Sequence, residues 1–222
     1  VAGVDGGTGA VALTATTGGV TVSNTAAAND INAGTTIAIT LSQDNQTLTI
    51  AAGANVESIG GKHVYTADEM DIVGTITATG QDVALQPASA GEAIDLGSAG
   101  MDATNDTLEL SNAELNAITA SVLRIGRDDA NASGAILISM PVAIVSPPAS
   151  ATLHLVTGST VTQNSAFSAK TLGISAGGAV TLNAMTNDVE FVAIRTSSGN
   201  VTFEDGNGFS VGSVTSCDPS GG

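Results

Sequence analysis

Short apolar strands alternate with Gly- and Ser-rich turns along this chain, and the pattern recurs about every 20 residues. Three consecutive copies occupy 153–161, 172–180 and 192–201, and their first residues are 19 and 20 positions apart. Each copy has an apolar-x-apolar strand, a turn and a second strand built on Val, and a similar copy lies at 11–22. Because period-two alternation buries one face of a strand, each copy predicts one coil of a stacked parallel β-helix.

The length of the period distinguishes a solenoid from a sandwich. A β-sandwich also places turns about ten residues apart, whereas a coil of about 20 residues provides two or three short strands. Dividing the 222 residues by this period predicts an all-β chain of roughly eleven coils. The spacing loosens over 55–135, where we expect irregular coils or protruding loops. Further strands are predicted at 36–41, 47–51, 72–78, 83–86, 107–111, 122–126 and 209–214.

One helical signal interrupts the strands. Ser111 and Glu114 have the spacing of a capping box, in which each side chain accepts a hydrogen bond from the other residue's backbone N–H. The pattern predicts a helix of one or two turns over about 112–119. Residues 66–69 have the same pattern, but two β-branched residues follow so closely that a turn or strand is predicted there.

The composition predicts a narrow core. Aromatic residues make up 2% of the chain and there is no Trp, while the 42% of hydrophobic residues are mostly small aliphatic ones beside 27 Gly. Large aromatic side chains normally fill the wide core of a globular domain. A solenoid or a thin sandwich therefore suits this chain, and its hydrophobic content counts against disorder.

The charge balance restricts the partners. With a formal net charge of −16 and only five Lys and Arg, the chain repels nucleic-acid phosphates and anionic lipid, so we predict no binding to either. The most apolar stretch, 135–145, is too short for a transmembrane helix and contains Pro141. It predicts two buried strands with a turn at Met140 and Pro141, and no membrane insertion.

Two blocks stand out in the middle of the chain, 83–97 (VALQPASAGEAIDLG) and 108–126 (LELSNAELNAITASVLRIG). Both resemble segments of bacterial filamentous-haemagglutinin-like proteins. In that family such blocks precede strands like 134–139, and the Gly-Gly-x-Val-Thr-Leu pattern at 177–182 is also typical of it. The resemblance covers most of 60–215.

This resemblance implies a right-handed β-helix, secretion to the bacterial cell surface and an adhesive or scaffolding role. A host, glycan or neighbouring-cell surface is the expected partner, and no catalytic residue is implied. The family's N-terminal secretion domain is not found in the sequence, and the chain has no initiating Met. We interpret 1–222 as one β-helix segment of a longer repetitive protein. If 1–222 were the native span, its open coil ends would predict end-to-end stacking into a fibre.

The densest mixed-charge cluster supports the main alternative, which is an enzyme. It consists of Arg124, Arg127, Asp128 and Asp129. A polysaccharide-processing β-helix would place acidic and basic groups together on one exposed sheet. A salt-bridged turn is the favoured interpretation, because Tyr65 is the only Tyr and few aromatic rings are available to stack on sugars.

Both histidines are predicted at the surface. His154 alternates with Leu153 and Leu155, so it should point out of the coil, and His63 follows the Gly pair at 60–61 in an expected turn. No Ser-His-Asp or Cys-His set follows from the spacing. We therefore predict no catalytic, cofactor-binding or metal-binding residue, and no cofactor.

The remaining polar features are predicted to have no binding or catalytic role. The acidic turns at 187–188 and 204–208 lack the ligand register of an EF-hand, so solvated turns are favoured over weak Ca²⁺ binding. Cys217 is the only cysteine and can form no intrachain disulfide, although an intermolecular one stays open. Threonines at 47–49 and 75–79 would suit ice binding only if their register repeated on successive coils.

Overall fold

The computed structural model describes residues 3–24, 29–98, 106–144 and 152–213, and these form an almost entirely β fold. Strands account for 51% of the chain. No helix in these ranges is long and apolar enough to cross a membrane. The strands are β1 (Val4–Asp5), β2 (Val11–Ala15), β3 (Val20–Val22), β4 (Ile31–Ala33), β5 (Ile37–Leu41), β6 (Thr47–Ile50), β7 (Asn55–Ser58), β8 (His63–Thr66), β9 (Glu69–Ile72), β10 (Thr75–Thr77), β11 (Asp82–Gln86), β12 (Ala93–Leu96), β13 (Thr107–Leu110), β14 (Ile118–Thr119), β15 (Val122–Gly126), β16 (Ile136–Ile138), β17 (Val142–Ala143), β18 (Thr152–Thr157), β19 (Val161–Gln163), β20 (Phe167–Ala176), β21 (Val180–Leu182), β22 (Asp188–Thr196), β23 (Val201–Phe203) and β24 (Ser210–Val211), and the helix is α1 (Asn112–Asn116).

The longest sheet stacks strands that lie one coil apart in the chain. Its order is β2, β5, β8, β11, β15, β18, β20, β22 and β24, with β17 also pairing with β20. The pairings in this sheet are parallel. Parallel neighbours need a crossover, and the rest of each coil provides it. This arrangement is compatible with the predicted solenoid.

The register of the long sheet gives the length of each coil. One row of register partners contains Val11, Ile37, His63, Val83, Leu123, Leu153, Leu172, Val192 and Val211. Successive members are 26, 26, 20, 40, 30, 19, 20 and 19 residues apart. The predicted spacing of 19 and 20 holds for the C-terminal copies. The prediction of eleven coils assumed a uniform period, and the row in the described ranges has nine members.

Three shorter sheets complete the coils. A five-stranded sheet has the order β1, β4, β7, β10 and β14, and a three-stranded sheet has β3, β6 and β9. The six-stranded sheet has the order β13, β12, β16, β19, β21 and β23. In it β13 precedes β12, and β13 also contacts β9. Within the 40-residue spacing the chain therefore adds two strands to this sheet, first β12 and then β13. The later strand, β13, lies on the N-terminal side of β12 in the stack.

The helix α1 lies in this second passage and confirms the predicted capping box. Ser111 Oγ accepts from the backbone N–H of Glu114 at 3.3 Å, and Glu114 Oε2 accepts from that of Ser111 at 2.7 Å. Glu114 Oε1 also accepts from the N–H of Ile72 at the end of β9, at 3.0 Å. The helix ends at Asn116, earlier than predicted, because residues 118–119 pair with β10 as β14.

The core is one continuous cluster of mostly aliphatic side chains inside the coils, as the composition predicts. Tyr65 and Phe167 are the largest fully buried side chains in it. The apolar stretch at 135–145 forms β16 and β17 on either side of Met140 and Pro141, as predicted, with residue 145 outside the described ranges. The predicted strand at 209–214 corresponds to β24, and residue 214 also lies outside them.

Candidate functional site

His63 is buried inside the coils, so the prediction of a surface histidine was wrong. It lies in β8 with no exposed surface and occupies the inward row between Ile37 and Val83. The Gly pair at 60–61 predicts a turn after it that includes His63. The turn ends one residue earlier, because the strand pairing of a 26-residue coil begins at His63 itself.

Buried hydrogen bonds surround the ring of His63. Its Nδ1 is 2.9 Å from the hydroxyl of Tyr65 and its Nε2 is 2.8 Å from Ser58 Oγ. Ser58 donates its own hydroxyl proton to the carbonyl of Gly61 at 2.6 Å. Ser58 must therefore accept from Nε2–H, and Tyr65 donates to Nδ1. This assigns the Nε2–H tautomer and a neutral ring.

Burial also keeps this cluster uncharged. It lowers the pKa of His63 to about 4 and raises the pKa of the Tyr65 hydroxyl above its ordinary value. All three side chains are buried. The arrangement fills polar positions of the core with satisfied hydrogen bonds and offers no access to a substrate, so we assign it a structural role.

His154 lies on the outward face of β18, as alternation predicts. The prediction that it is exposed at the surface was wrong, because the side chain is buried. Its neighbours Leu153 and Leu155 belong to the core, whereas His154 is register partner of Arg124 and Gly173. Only 6% of its surface is exposed. Alternation gives the face on which a side chain lies, whereas its exposure depends on what covers that face.

The charges around His154 are mostly positive. Burial lowers its pKa to about 4, Arg124 and Arg195 lower it further, and Asp128 opposes them. Its Nδ1 is buried without a hydrogen-bond partner. The neutral imidazole is therefore exposed to the positive charges of both Arg124 and Arg195.

The predicted charge cluster divides into two ion pairs, as expected for a salt-bridged turn. Arg124 Nη2 lies 3.1 Å from Asp128 Oδ1, and Arg127 Nε lies 2.9 Å from Asp129 Oδ1. Both arginines are buried and both aspartates are exposed. Arg127 also donates to the carbonyl of Pro87 at 3.0 Å, which ties the turn to the preceding coil.

Asp129 is held in its charged form by this turn. Its burial raises the pKa of the carboxyl, but hydrogen bonds from Arg127 and from the backbone of Asn131 lower it. The positive charges of Arg127 and Arg124 act in the same direction, so the net pKa lies below the usual value. A carboxylate held this way suits an ion pair and is a weak proton donor.

A groove opens beside His154 on the outer face of the long sheet. Its volume is about 310 Å³, and its lining includes His154, Gly173, Ser175, Ala193 and Arg195. Gly173 stands between His154 and Ala193 in the register row, so the middle of that row has no side chain. Arg195 is exposed and forms no ion pair within the described ranges. This groove is the best candidate for a binding site.

The structure brings together three carboxylates that the sequence separates. One oxygen each of Asp44, Glu92 and Asp106 lies within 4.8 Å of the other two. Oxygen ligands of this kind suit Ca²⁺. Sequence reasoning missed the group because its members lie in different coils and share no local motif.

The predicted acidic turns make structural hydrogen bonds. Asp205 accepts from the backbone N–H groups of Val189, Asn207 and Gly208 at 2.8 to 3.0 Å. Asn187 was predicted in a solvated turn but is buried, with 1% of its surface exposed. It exchanges two 2.9 Å hydrogen bonds with Gln163 of the previous coil. A side-chain ladder between coils explains this burial.

The threonine pairs lie apart. Thr47 and Thr49 are in β6 and Thr75 and Thr77 are in β10, which belong to different sheets. They therefore do not form one array of the kind that ice binding requires. Cys217 lies outside the described residues.

Comparison with known proteins adds no relative: no family model, no curated protein and no solved structure matches the chain. The resemblance to filamentous-haemagglutinin-like proteins therefore stays a prediction.

Proposed function

We propose that the chain is a non-enzymatic structural or adhesive module of the bacterial cell surface, built as a right-handed parallel β-helix. The observation that carries this proposal is the long sheet, in which nine strands stack in parallel over a continuous aliphatic core. At about 4.8 Å per strand, eight steps extend over roughly 40 Å. A stack of this kind is stiff because each layer is bonded to both neighbours, and it holds whatever follows it away from the cell.

Handedness and coil number are part of this proposal. A right-handed β-helix is what the family resemblance implies, and eleven coils is the prediction from a uniform 20-residue period. An experimental structure of the whole chain tests both. A left-handed path in that structure would contradict the proposed handedness. A globular particle in small-angle scattering would contradict the rod.

Adhesion and surface location need separate tests. We expect antibodies against residues 152–213 to label intact cells of the organism that encodes the chain. Beads coated with the protein should attach to a host, glycan or neighbouring-cell surface, and beads coated with heat-denatured protein should not. Labelling only after cell lysis would contradict the surface role.

A second candidate, a fibre subunit, applies if 1–222 is the native span, and it depends on the two ends of the stack. At the N-terminal end, an apolar groove of about 250 Å³ includes Val4, Leu13 and Val20 in its lining. At the other end, Phe209 and Val211 are exposed, with 80% of the Val211 surface accessible. Strand edges that carry apolar side chains favour stacking of one copy on another. Sedimentation velocity at increasing concentration should then show oligomers, whereas monomers throughout would exclude the fibre.

The enzymatic alternative makes a different prediction. Arg124 and Asp128 bond to each other, so Asp128 serves an ion pair and is poorly placed to take a proton from a substrate. We expect no release of reducing ends from acidic or neutral polysaccharides. Release that is lost in Asp128→Ala or Arg124→Ala would replace the structural proposal with an enzyme.

A further inference from the structure

Positive charge is concentrated beside the groove on the long sheet. The chain has 21 Asp and Glu but only five Lys and Arg. Two of those five lie next to His154: Arg124 is its register partner on β15, and Arg195 lines the groove on β22. Both act electrostatically on the His154 ring. On a surface that is otherwise acidic, this is a local site for an anion.

His154 gives a second, independent indication of a ligand. The side chain is more than nine-tenths buried, it lines the groove, and its Nδ1 has no partner. Buried polar atoms are nearly always hydrogen-bonded in folded proteins, and an unsatisfied one destabilises the folded state. A hydroxyl group of a ligand in the groove can form a hydrogen bond with this ring nitrogen and offset part of this destabilisation.

The charges select the type of anion. Arg124 is neutralised by Asp128 at 3.1 Å, and the ring of His154 is neutral above a pKa of about 4. Arg195 then leaves one net positive charge at the groove. A single carboxylate matches one charge and the fork of a guanidinium, whereas a phosphate dianion would exceed it.

The shape of the groove favours a small hydroxylated acid. Its volume of about 310 Å³ is at the lower end of the range for ligand sites. Gly173 has no side chain and Ala193 has only a methyl group, and the Ser175 hydroxyl adds a hydrogen-bonding group to the lining. The groove is open on the outer face of the sheet, so a sugar there can belong to a longer chain.

We propose that this groove binds a uronic-acid sugar, with Arg195 contacting the carboxylate and the unpartnered ring nitrogen of His154 hydrogen-bonding to a hydroxyl of the same sugar. The site goes beyond the proposed rod, which exists with or without it. It would give the module a preference for acidic glycans over neutral ones.

The test uses the full chain with a trimer of galacturonic acid, and maltotriose as the uncharged control. Calorimetry should detect the acidic trimer and not maltotriose, and the NMR signals of the His154 ring should shift on binding. Arg195→Gln should weaken binding at least tenfold, and Gly173→Val should do so by filling the groove. Lys170→Gln removes an exposed charge outside the lining and should leave binding unchanged.

Several outcomes would overturn the site. These are equal binding of maltotriose, binding of inorganic phosphate that is as tight as that of the trimer, or an equal loss of affinity in Lys170→Gln and Arg195→Gln. If Gly173→Val fails to fold, Arg195→Gln still decides the matter, because Arg195 is exposed. If the scattering profile is that of a rod but the trimer does not bind, the sugar-binding site is refuted and the proposed rod still stands.

Discussion

Acidification should destabilise this protein through His63. The ring is fully buried and its pKa is about 4, against about 6.5 in an unfolded chain. Between these values the unfolded state binds the proton and the folded state does not. Stability from this residue is therefore complete above pH 6.5 and is lost as the pH falls toward 4.

The size of the effect follows from the two pKa values. At pH 5 the unfolded ring is almost fully protonated and the folded ring only about one-tenth so, which lowers the free energy of unfolding by about 2 kcal/mol relative to pH 7. Below pH 4 the loss reaches roughly 3 kcal/mol, from about 1.4 kcal/mol for each pKa unit. His154 has a similar pKa and adds a loss of the same sign.

The assay compares wild type with His63→Gln, which retains an N–H donor on the side of Ser58. Urea unfolding at pH 7, 6 and 5, at constant ionic strength, gives the cost of the substitution at each pH. Contributions from the 21 acidic residues are common to both proteins and cancel. We expect the cost of the substitution to fall by about 2 kcal/mol between pH 7 and pH 5.

The reasoning would be refuted by a substitution cost that is independent of pH. It would also be refuted by an NMR titration in which the His63 ring of the folded protein gains its proton near pH 6.5. Either result would mean that the ring is solvated and that the cluster with Tyr65 and Ser58 does not form as described.

Two further predictions concern the stacking of coils. Gly126 has φ +86°, and a Cβ added there would lie 2.1 Å from the carbonyl oxygen of Val156 on the next coil. Gly126→Ala should therefore lower the melting temperature more than Gly80→Ala, since Gly80 has φ +73° but open space around it; equal shifts would contradict the close approach. Glu114→Ala leaves two backbone N–H groups without their acceptor. It should lower the free energy of unfolding in urea by at least about 2 kcal/mol. A decrease no larger than that for removing an exposed carboxylate would show that water replaces the side chain.

Local patterns explain the strands and the helix cap that were predicted. The strand at 122–126, the C-terminal copies and the capping box at Ser111 depend on alternation and on contacts within four residues. The small aliphatic composition likewise predicts a narrow core. These features are determined locally, so the sequence is sufficient to find them.

The candidate site could not be found in this way. The groove forms because Gly173 follows His154 in the register, and the two are 19 residues apart in the chain. Arg195 reaches the same groove from a further coil. The sequence indicated only that Arg124 and Asp128 form a charged turn. This part of the site is visible in the sequence because the two residues are only four positions apart.

The sequence by itself determined that the chain forms short strands, that they repeat, and on which face His154 lies. The tertiary structure decided that coils of 26, 20, 40 and 30 residues precede the C-terminal ones of 19 and 20, and that both histidines are buried. The physical reason is that strand formation depends on neighbouring residues, whereas register and burial depend on which residues of the previous and next coils pack against a given position.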